Sequence, residues 1–571
     1  MTEKRVAENV EAGVEDAPQA KRLRTDEAMD EDRNATAATT TQASTETATV
    51  ITEDSLNDMD EGTESDAGSQ VGSTEKRKKK FDTRRRRKDK SNTDGKPKPA
   101  RNRRRATKEE EEANREKRRL EEEQGLRQPR LPKRQSALLI GFCGSGYSGM
   151  QIQPMDSVKT IEGVLFQALV KVGAVSQDNA DDPVKVALAR AARTDAGVHA
   201  AGNVVSMKMI STIPGVPDLV AAVNEQLPPE IRFWGFVRTQ NSFNARLVCD
   251  SRKYTYFFPS YLLIPPKPGS GLDERLKAFN ESLGDTVPRP IHPFWADAPG
   301  NSTKEEDLIR KRRWRVDSGP IERLRETARR YEGTHNFHNF TVGRDFKDRS
   351  NFRFMKSITI EDPVVYGETE WISVLFHGQS FMLHQRKMMS GLVLSCRTGA
   401  PPEVIDQLYN EEQVFVPKMP SLGLLLEEPL FTSYNSRVAK INTNLKPEDA
   451  DYRPPIDFDL HREKMAEFKE KFIYKNMREI EDRDGLFDAW IRSVDCYSGD
   501  DLLYLNSQGT VPDACVIKKG VRRTNPFREK RVFDTTSFPT ADRVKKQLEE
   551  SDGEEVEEEI IDKKMLAETE G

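Results

Sequence analysis

Cysteine is scarce in this chain. Five residues out of 571, Cys143, Cys249, Cys396, Cys496 and Cys515, are scattered with no C-x-x-C pair. That excludes a disulfide framework and a cysteine-based zinc motif, and it reads as a reducing compartment. Long apolar runs are missing too, so no helical span of a bilayer is expected. The first residues hold no apolar segment, so no secretory signal is expected either. Aromatics are almost absent from residues 1 to about 133. That stretch alternates acidic Ser/Thr/Asp/Glu runs with Lys/Arg blocks, and with little to bury, the entropy of ordering it goes uncompensated. We expect residues 1–133 to be a disordered charged arm. Residues 501–571 are expected to be mostly disordered and to end in an acidic tail around Glu554-Glu555 and Glu557-Glu558-Glu559.

What is present concentrates in the middle. Overall 35% of residues are hydrophobic and 32% are charged, so any core must come from the stretch between the two ends. The net charge of -5 averages unlike segments, and recognition depends on the local field at a cleft. Two basic clusters stand in the arm, Lys21-Arg22-Leu23-Arg24 and Lys76-Arg77-Lys78-Lys79-Lys80 continuing to Arg84-Arg85-Arg86-Arg87-Lys88. They read as signals for a nuclear import receptor, hence a nuclear location, with nonspecific RNA affinity as the other use.

The folded region opens with a strand over Leu138–Phe142. A helix runs from Thr160, a fitting N-cap, to Val172, with Ile161, Val164, Leu165, Ala168 and Leu169 at helical spacing. A strand is expected over Lys185–Ala189, then a loop, then a strand over Val204–Met209. Further strands are expected at Lys253–Pro259, Phe354–Ile360 and Glu370–Phe376, and helices at Ile321–Tyr331, Phe381–Arg397 and His461–Arg483. Residues 264–320 interrupt the pattern with Pro265-Pro266-Lys267-Pro268 and the cluster Arg310-Lys311-Arg312-Arg313-Trp314-Arg315, and read as an insertion. Its cluster is either an RNA contact or a solvated helix.

Two motifs invite chemistry. Gly144, Gly146 and Gly149 fit G-x-G-x-x-G after a strand, but a dinucleotide site needs a helix starting at the glycines, and here the helix starts only near Thr160. A glycine-rich loop is the better reading. In Arg193-Thr194-Asp195-Ala196-Gly197-Val198-His199 a carboxylate stands between a cation and a glycine, with nothing bulky beside it. It reads as a positioned catalytic Asp open to a planar substrate, or as a simple turn before a strand.

The run R-T-D-A-G-V-H resembles the active-site loop of the TruA-type pseudouridine synthases. The resemblance continues in order through Gly144–Gln151, Thr160–Gly163, Ser242–Arg246, Arg252–Tyr256, Gly333–Phe340 and Ser380–Gln385. The last two segments are similar to the eukaryotic group of nuclear tRNA pseudouridine synthases. The resemblance implies an α+β fold, a central mostly antiparallel sheet flanked by helices with a cleft across its middle. It would occupy residues 134–438 including the insertion, followed by a C-terminal helical extension over 439–500. It implies isomerisation of uridine to pseudouridine in tRNA, with mRNA or snRNA as further candidates and no membrane partner. That reaction cuts N1–C1′, turns the uracil and rejoins it through C5, without net redox change, so no cofactor is required.

Asp195 is then the catalytic residue. It would attack C1′, attack C6 or remove a sugar proton, and the sequence does not choose among these. Tyr254 falls where the family has its active-site Tyr, and Tyr256 is expected on the opposite strand face, in the core. Arg193 would fill the place of the flipped nucleotide. The family reads H-Q-I-R-K-M where this chain has His384-Gln385-Arg386-Lys387-Met388-Met389, so either Arg386 or Lys387 pairs with Asp195. On a helix, a missing residue would turn everything beyond it by about 100°. Arg246, His199, His335, His338 and His384 are expected to touch RNA. No catalytic metal is expected, while a structural zinc is associated with some family members, its ligands unknown. The resemblance leaves the oligomeric state open. A noncatalytic RNA-binding protein or coregulator keeping the fold is the rival reading, motivated by the altered Arg386 region.

Overall fold

Strands form where β-branched and aromatic residues alternate or run together, and they gather around one sheet. A computed structural model describes residues 131–153, 158–285 and 290–534, together with residue 116. Most of the charged arm, its two basic clusters and the acidic tail lie outside the described residues. The strands are β1 (Lys133–Phe142), β2 (Ala189–Arg190), β3 (His199–Ile210), β4 (Ile231–Arg238), β5 (Ser251–Pro259), β6 (Gly333–Asn336), β7 (Phe352–Ile360), β8 (Val364–Tyr366), β9 (Thr369–Gly378) and β10 (Leu424–Leu430).

They make one sheet of order β4-β1-β3-β10-β5-β9-β7-β6, with β2 on β3 and β8 on β9. Every pairing is antiparallel except β10 with β3. The expected α+β class and mostly antiparallel sheet are therefore observed. Ala200, Leu426, Tyr254 and Phe376 lie side by side across the four central strands. This row brings the Asp195 loop, which feeds the start of β3, next to the strand that carries Tyr254.

Helices cover the sheet in two groups, and the core divides accordingly. Around β1, β3 and β4, the helices Ile161–Lys171 and Leu219–Gln226 bury Leu165, Leu169 and Val223 against Leu138, Ile140, Val205 and Phe233. Thr160 caps the first of these, accepting from the Gly163 amide. On the other half, Ser318–Arg329 and Lys387–Thr398 pack Leu324, Leu392 and Val393 onto Met355, Ile372 and Val374.

Four expectations differ from the structure. Pro183–Val186 is a 3-10 turn, capped by Asp182, and only Ala189–Arg190 of the expected strand pairs with β3. The helix expected from Phe381 begins at Lys387, so residues 381–386 form a loop. The basic cluster in the insertion is not a wholly solvated helix: part of it is buried in the fold, while Arg313 and Arg315 stay exposed. Lys311 is buried against Asp488 at 2.8 Å, and Arg312 donates to the carbonyls of Glu481 and Asp482. Arg313 reaches Glu368, while Trp314 packs against the core, so this helix clasps the C-terminal extension. Finally, order does not stop near residue 500. Leu502, Leu503, Tyr504, Leu505, Cys515, Val532 and Phe533 are all buried, because this mostly polar segment carries one compact apolar run that the core accepts. The helical extension itself lies at Arg462–Asp484 and Leu486–Asp495, with Phe468 and Trp490 buried.

Candidate active site

The Asp195 loop is fixed from three sides. Asn203, fully buried at the start of β3, accepts from the Ala192 amide at 3.3 Å and donates to the Ala192 carbonyl at 3.0 Å. The Val198 amide donates to the Asp195 carbonyl, closing a turn through Gly197 at φ +76°. From the third side comes the glycine-rich loop, where the Met150 amide donates to the Thr194 carbonyl at 3.1 Å. A Cβ on Gly149 would lie 2.8 Å from that carbonyl oxygen, and one on Gly144 would lie 2.0 Å from the Val198 oxygen. These glycines allow backbone to meet backbone, and the helix after them starts at Ile161. Their use is to seat the Asp195 loop.

Opposite stands the loop that leads from β9 to the helix at Lys387. Thr341 holds it by donating to the Leu383 carbonyl, and the Met382 amide donates to Gln385 Oε1. His384 takes a left-handed backbone, φ +57°, a conformation few side chains adopt without a constraint. In that turn His384 Nδ1–H donates to Asp195 Oδ2 at 3.1 Å, and Arg386 donates to the same oxygen at 3.3 Å. Neither hydrogen bond uses Oδ1. The Arg386 side chain is 1% exposed and that of Asp195 29%, so the cation is sealed behind while the carboxylate opens forward. Burial pushes the Asp195 carboxyl up. The charges of His384, Arg386 and Lys418 and the His384 hydrogen bond more than offset this, and the group is held well below the usual carboxylate range.

A pocket opens over this carboxylate. Its walls include Arg193, Thr194, Tyr254, Phe376, Phe381, Met382, Met388 and Leu424. Tyr254 meets Phe381 edge to face, with ring centroids 4.8 Å apart. Burial raises its phenol well above the ordinary value, so the hydroxyl stays protonated. Tyr256 is in the core, donating to the Pro420 carbonyl at 2.6 Å. It lies on the same face as Tyr254 rather than the opposite one, because residues two apart on a strand share a face.

By the same rule Arg252 shares that face, and sequence reasoning overlooked it. Its guanidinium donates to the Ala191 carbonyl at 2.7 Å and to the Gln379 carbonyl at 2.9 Å, tying the Asp195 loop to the His384 loop. Lys418 was also missed. It sits behind the site, where its amide donates to Glu529 Oε1 at 2.8 Å, and nothing local in the sequence marks that long-range contact.

The remaining sequence candidates separate cleanly. Asp195, Tyr254, Arg386, His384 and Arg193 come together at the pocket, and Arg246 lines a neighbouring cleft that shares Arg193. Lys387 does not border the pocket: it is buried with its ammonium over the Phe415 ring. The helix starts after Arg386, so the missing residue is absorbed in the loop and no helical rotation arises. His199 is 0% exposed, and its Nδ1 accepts from the Gly144 amide. Burial pushes its pKa down to about 4. His335 stacks on Tyr409 with centroids 4.3 Å apart, and His338 is buried near the Glu412 carbonyl. His199 and His338 are buried in the fold, and His335 packs on Tyr409 while remaining partly exposed. Among the described residues no three His, Cys, Asp or Glu groups gather to hold a metal ion.

Comparison with known proteins shows the family. A family described as tRNA pseudouridine synthase matches residues 327–432. The tRNA pseudouridine synthase 1 of Eremothecium gossypii is 40% identical over 412 residues, covering 65% of this chain and 75% of that protein. The protein of the same name from Yarrowia lipolytica is 41% identical over 414 residues, covering 65% and 76%. That from Schizosaccharomyces pombe is 37% identical over 474 residues, covering 66% and 86%. This chain belongs to the tRNA pseudouridine synthase family.

Proposed function

We propose that this chain converts uridine to pseudouridine in tRNA, with Asp195 as the catalytic carboxylate. One observation carries the reading: an ionised carboxylate with two donors on Oδ2 has Oδ1 available to a substrate in a largely apolar pocket. In the reaction the N1–C1′ bond breaks, the uracil turns, a C5–C1′ bond forms, C5 releases a proton and N1 takes one up. Atoms balance with no oxidant or cofactor. An ionised Asp195 serves each of the three routes, whether it attacks C1′ or C6 or takes a sugar proton.

Tyr254 offers a ring edge and a protonated hydroxyl to hold the uracil while it turns. Phe376, Phe381 and Met388 keep water from the cleaved sugar. Arg193, at the rim, takes the place of the everted nucleotide. The same reading extends to uridines in mRNA or snRNA of similar local structure, and the basic clusters of the arm would bring the protein to the nucleus through an import receptor.

The test is incubation of purified full-length protein with a uridine-containing tRNA transcript, followed by chemical mapping of pseudouridine. The wild type modifies the transcript, and Asp195→Ala binds it without modifying it. Tight binding with no modification by the wild type would favour the noncatalytic RNA-binding reading instead.

A further inference from the structure

Phe352 and Phe354 are the only exposed phenylalanines among the described residues, at 51% and 43% of full exposure. They do not sit on a loop. Both belong to β7, which lies between β9 and the short edge strand β6. Residues two apart on a strand share a face, so the two rings stand together, about 6.7 Å apart along the chain. Met355, between them, points the other way and is fully buried in the core. An outward strand face is ordinarily polar, and an exposed apolar pair close to a sheet edge invites unwanted pairing. Two rings in that position point to a partner.

The surroundings give the charge of that partner. Residues 344–356 carry five Lys or Arg and two Asp, and both carboxylates are engaged within the segment. Asp348 accepts from Arg344 at 2.6 Å and from the Ser350 amide at 2.9 Å, while Asp345 accepts from the Lys347 amide at 3.0 Å. Arg349 precedes the rings, Lys356 follows them, and both are exposed. The Lys356 ammonium donates to Ser251 Oγ at 3.2 Å, a neutral group, and His377 Nε2 lies 3.0 Å from the same oxygen. Flat rings flanked by cations match an unpaired nucleic-acid strand, whose bases offer faces to stack and whose phosphates seek positive charge. A second copy of this chain would bring the same excess of positive charge and be repelled.

The face is also tied to the Asp195 site. The Gln379 amide donates to the Phe354 carbonyl at 2.9 Å, Arg252 donates to the Gln379 carbonyl, and Gln379 opens the loop that brings His384 and Arg386 to Asp195. The strand register puts Tyr254, Phe376 and Met355 on the pocket side of the sheet and Phe354 on the reverse. The rings are therefore a second contact and not a wall of the pocket. We propose that Phe352 and Phe354 stack two neighbouring bases of an unpaired segment of the RNA substrate, with its phosphates against Arg349 and Lys356. The inference rests on the reading of RNA as the substrate. Stacking accepts any base, so this face adds affinity and holds the RNA without choosing a sequence.

The test titrates full-length protein into a short unpaired RNA of adenosine and cytidine, which lacks the uridine that the Asp195 pocket would take. The double variant Phe352→Leu/Phe354→Leu keeps the apolar bulk and removes the flat rings. Its affinity should be about 10- to 100-fold weaker, and Phe352→Tyr/Phe354→Tyr should bind as the wild type does. Both should melt with the wild type, since the rings are about half in water. Lys356→Gln should flatten the slope of log affinity against log salt by about 0.7. A second readout follows the stacking itself. With 2-aminopurine in place of one adenosine, wild-type binding should quench the fluorescence, and the leucine variant should quench it less. Equal affinity together with equal quenching, or no binding by the wild type, would overturn the platform. A light-scattering mass of two chains in the wild type and one in the leucine variant would make this face a contact between copies and overturn it as well. Absence of pseudouridine with wild type and tRNA would instead remove the isomerase reading, while the short RNA would still decide the role of the rings.

Discussion

Replacing Arg386 by Met removes the sealed cation behind Asp195 and keeps most of its volume. At 3.3 Å and an effective dielectric of about 20, the lost attraction is roughly 5 kcal/mol. His384 keeps its hydrogen bond to the same oxygen, and the carboxylate is in part open to pocket water. Both reduce the net cost, and we expect a stability loss of about 2 kcal/mol. The rate should suffer more, falling about 10²–10³-fold in single-turnover pseudouridine formation, as when one preorganised electrostatic group is removed.

The pH dependence carries the sign. In the wild type the Asp195 pKa lies below its ordinary value. The stability it contributes is therefore complete above about pH 4 and is lost only as pH falls through the lower folded value. Activity should then show no acid limb from Asp195 between about pH 5 and 8. In Arg386→Met one of the lowering charges is gone while His384 and Lys418 remain, so the carboxyl rises toward its ordinary value and any acid limb moves to higher pH. Lys387→Met is the control. Burial already pushes that ammonium down, so an apolar replacement should change stability by about 1 kcal/mol or less and the rate by roughly threefold at most. A crippled Lys387→Met beside a nearly normal Arg386→Met would refute the assignment of the pairing cation.

Other expectations follow from the same contacts. Tyr254→Phe should lower the single-turnover rate about 10- to 100-fold and leave the melting temperature within about 2 °C, because among the described residues no hydrogen bond to that hydroxyl is lost; a normal rate would assign the ring to packing alone. His199 has its folded pKa lowered to about 4, so its stability contribution is complete above about pH 6.5 and declines by up to about 3 kcal/mol as pH falls to 4. Melting curves of His199→Gln should therefore lose part of the acid-side slope of the wild type. Lys311→Ala leaves the buried Asp488, whose side chain is 2% exposed, with Arg492 as its remaining cation, and should cost about 2 kcal/mol in denaturant unfolding. Its tRNA affinity should stay within about twofold, whereas a large loss of affinity without destabilisation would return that cluster to the RNA face.

Local signals in the sequence predicted local structure well. Thr160 caps its helix as its side chain and position suggest, and the β-branched and aromatic runs of β3, β5, β7 and β9 lie in the sheet. Read locally, the Asp195 loop was either a catalytic carboxylate or a turn before a strand, and the resemblance of R-T-D-A-G-V-H to the TruA-type active-site loop decided between them. What failed depended on distant partners. Residues 381–386 have helical apolar spacing, yet His384 must turn left-handed to reach a carboxylate 189 positions away. A tertiary contact overrides periodicity there. His199 and His338, expected at an RNA surface, lie buried in the fold, and His335 packs on Tyr409 while partly exposed. The basic run from Arg310 to Arg315 gave no hint of Asp488 or Glu368, its partners, and the apolar run Leu502–Leu505 was the overlooked sign that the core continues past residue 500. Arg252 could have been found, since the two-residue strand period places it on the face of Tyr254.

The claim on which all of this depends is that the Asp195 carboxylate performs the bond exchange at C1′. Because C5 must release its hydrogen when it joins the sugar, tritium release from a tRNA transcript labelled at uridine C5 reports the chemistry directly. With enzyme in excess, the wild type should release tritium in step with pseudouridine formation. Asp195→Asn should bind the transcript and release none above background. Release by Asp195→Asn at the wild-type rate would contradict the account.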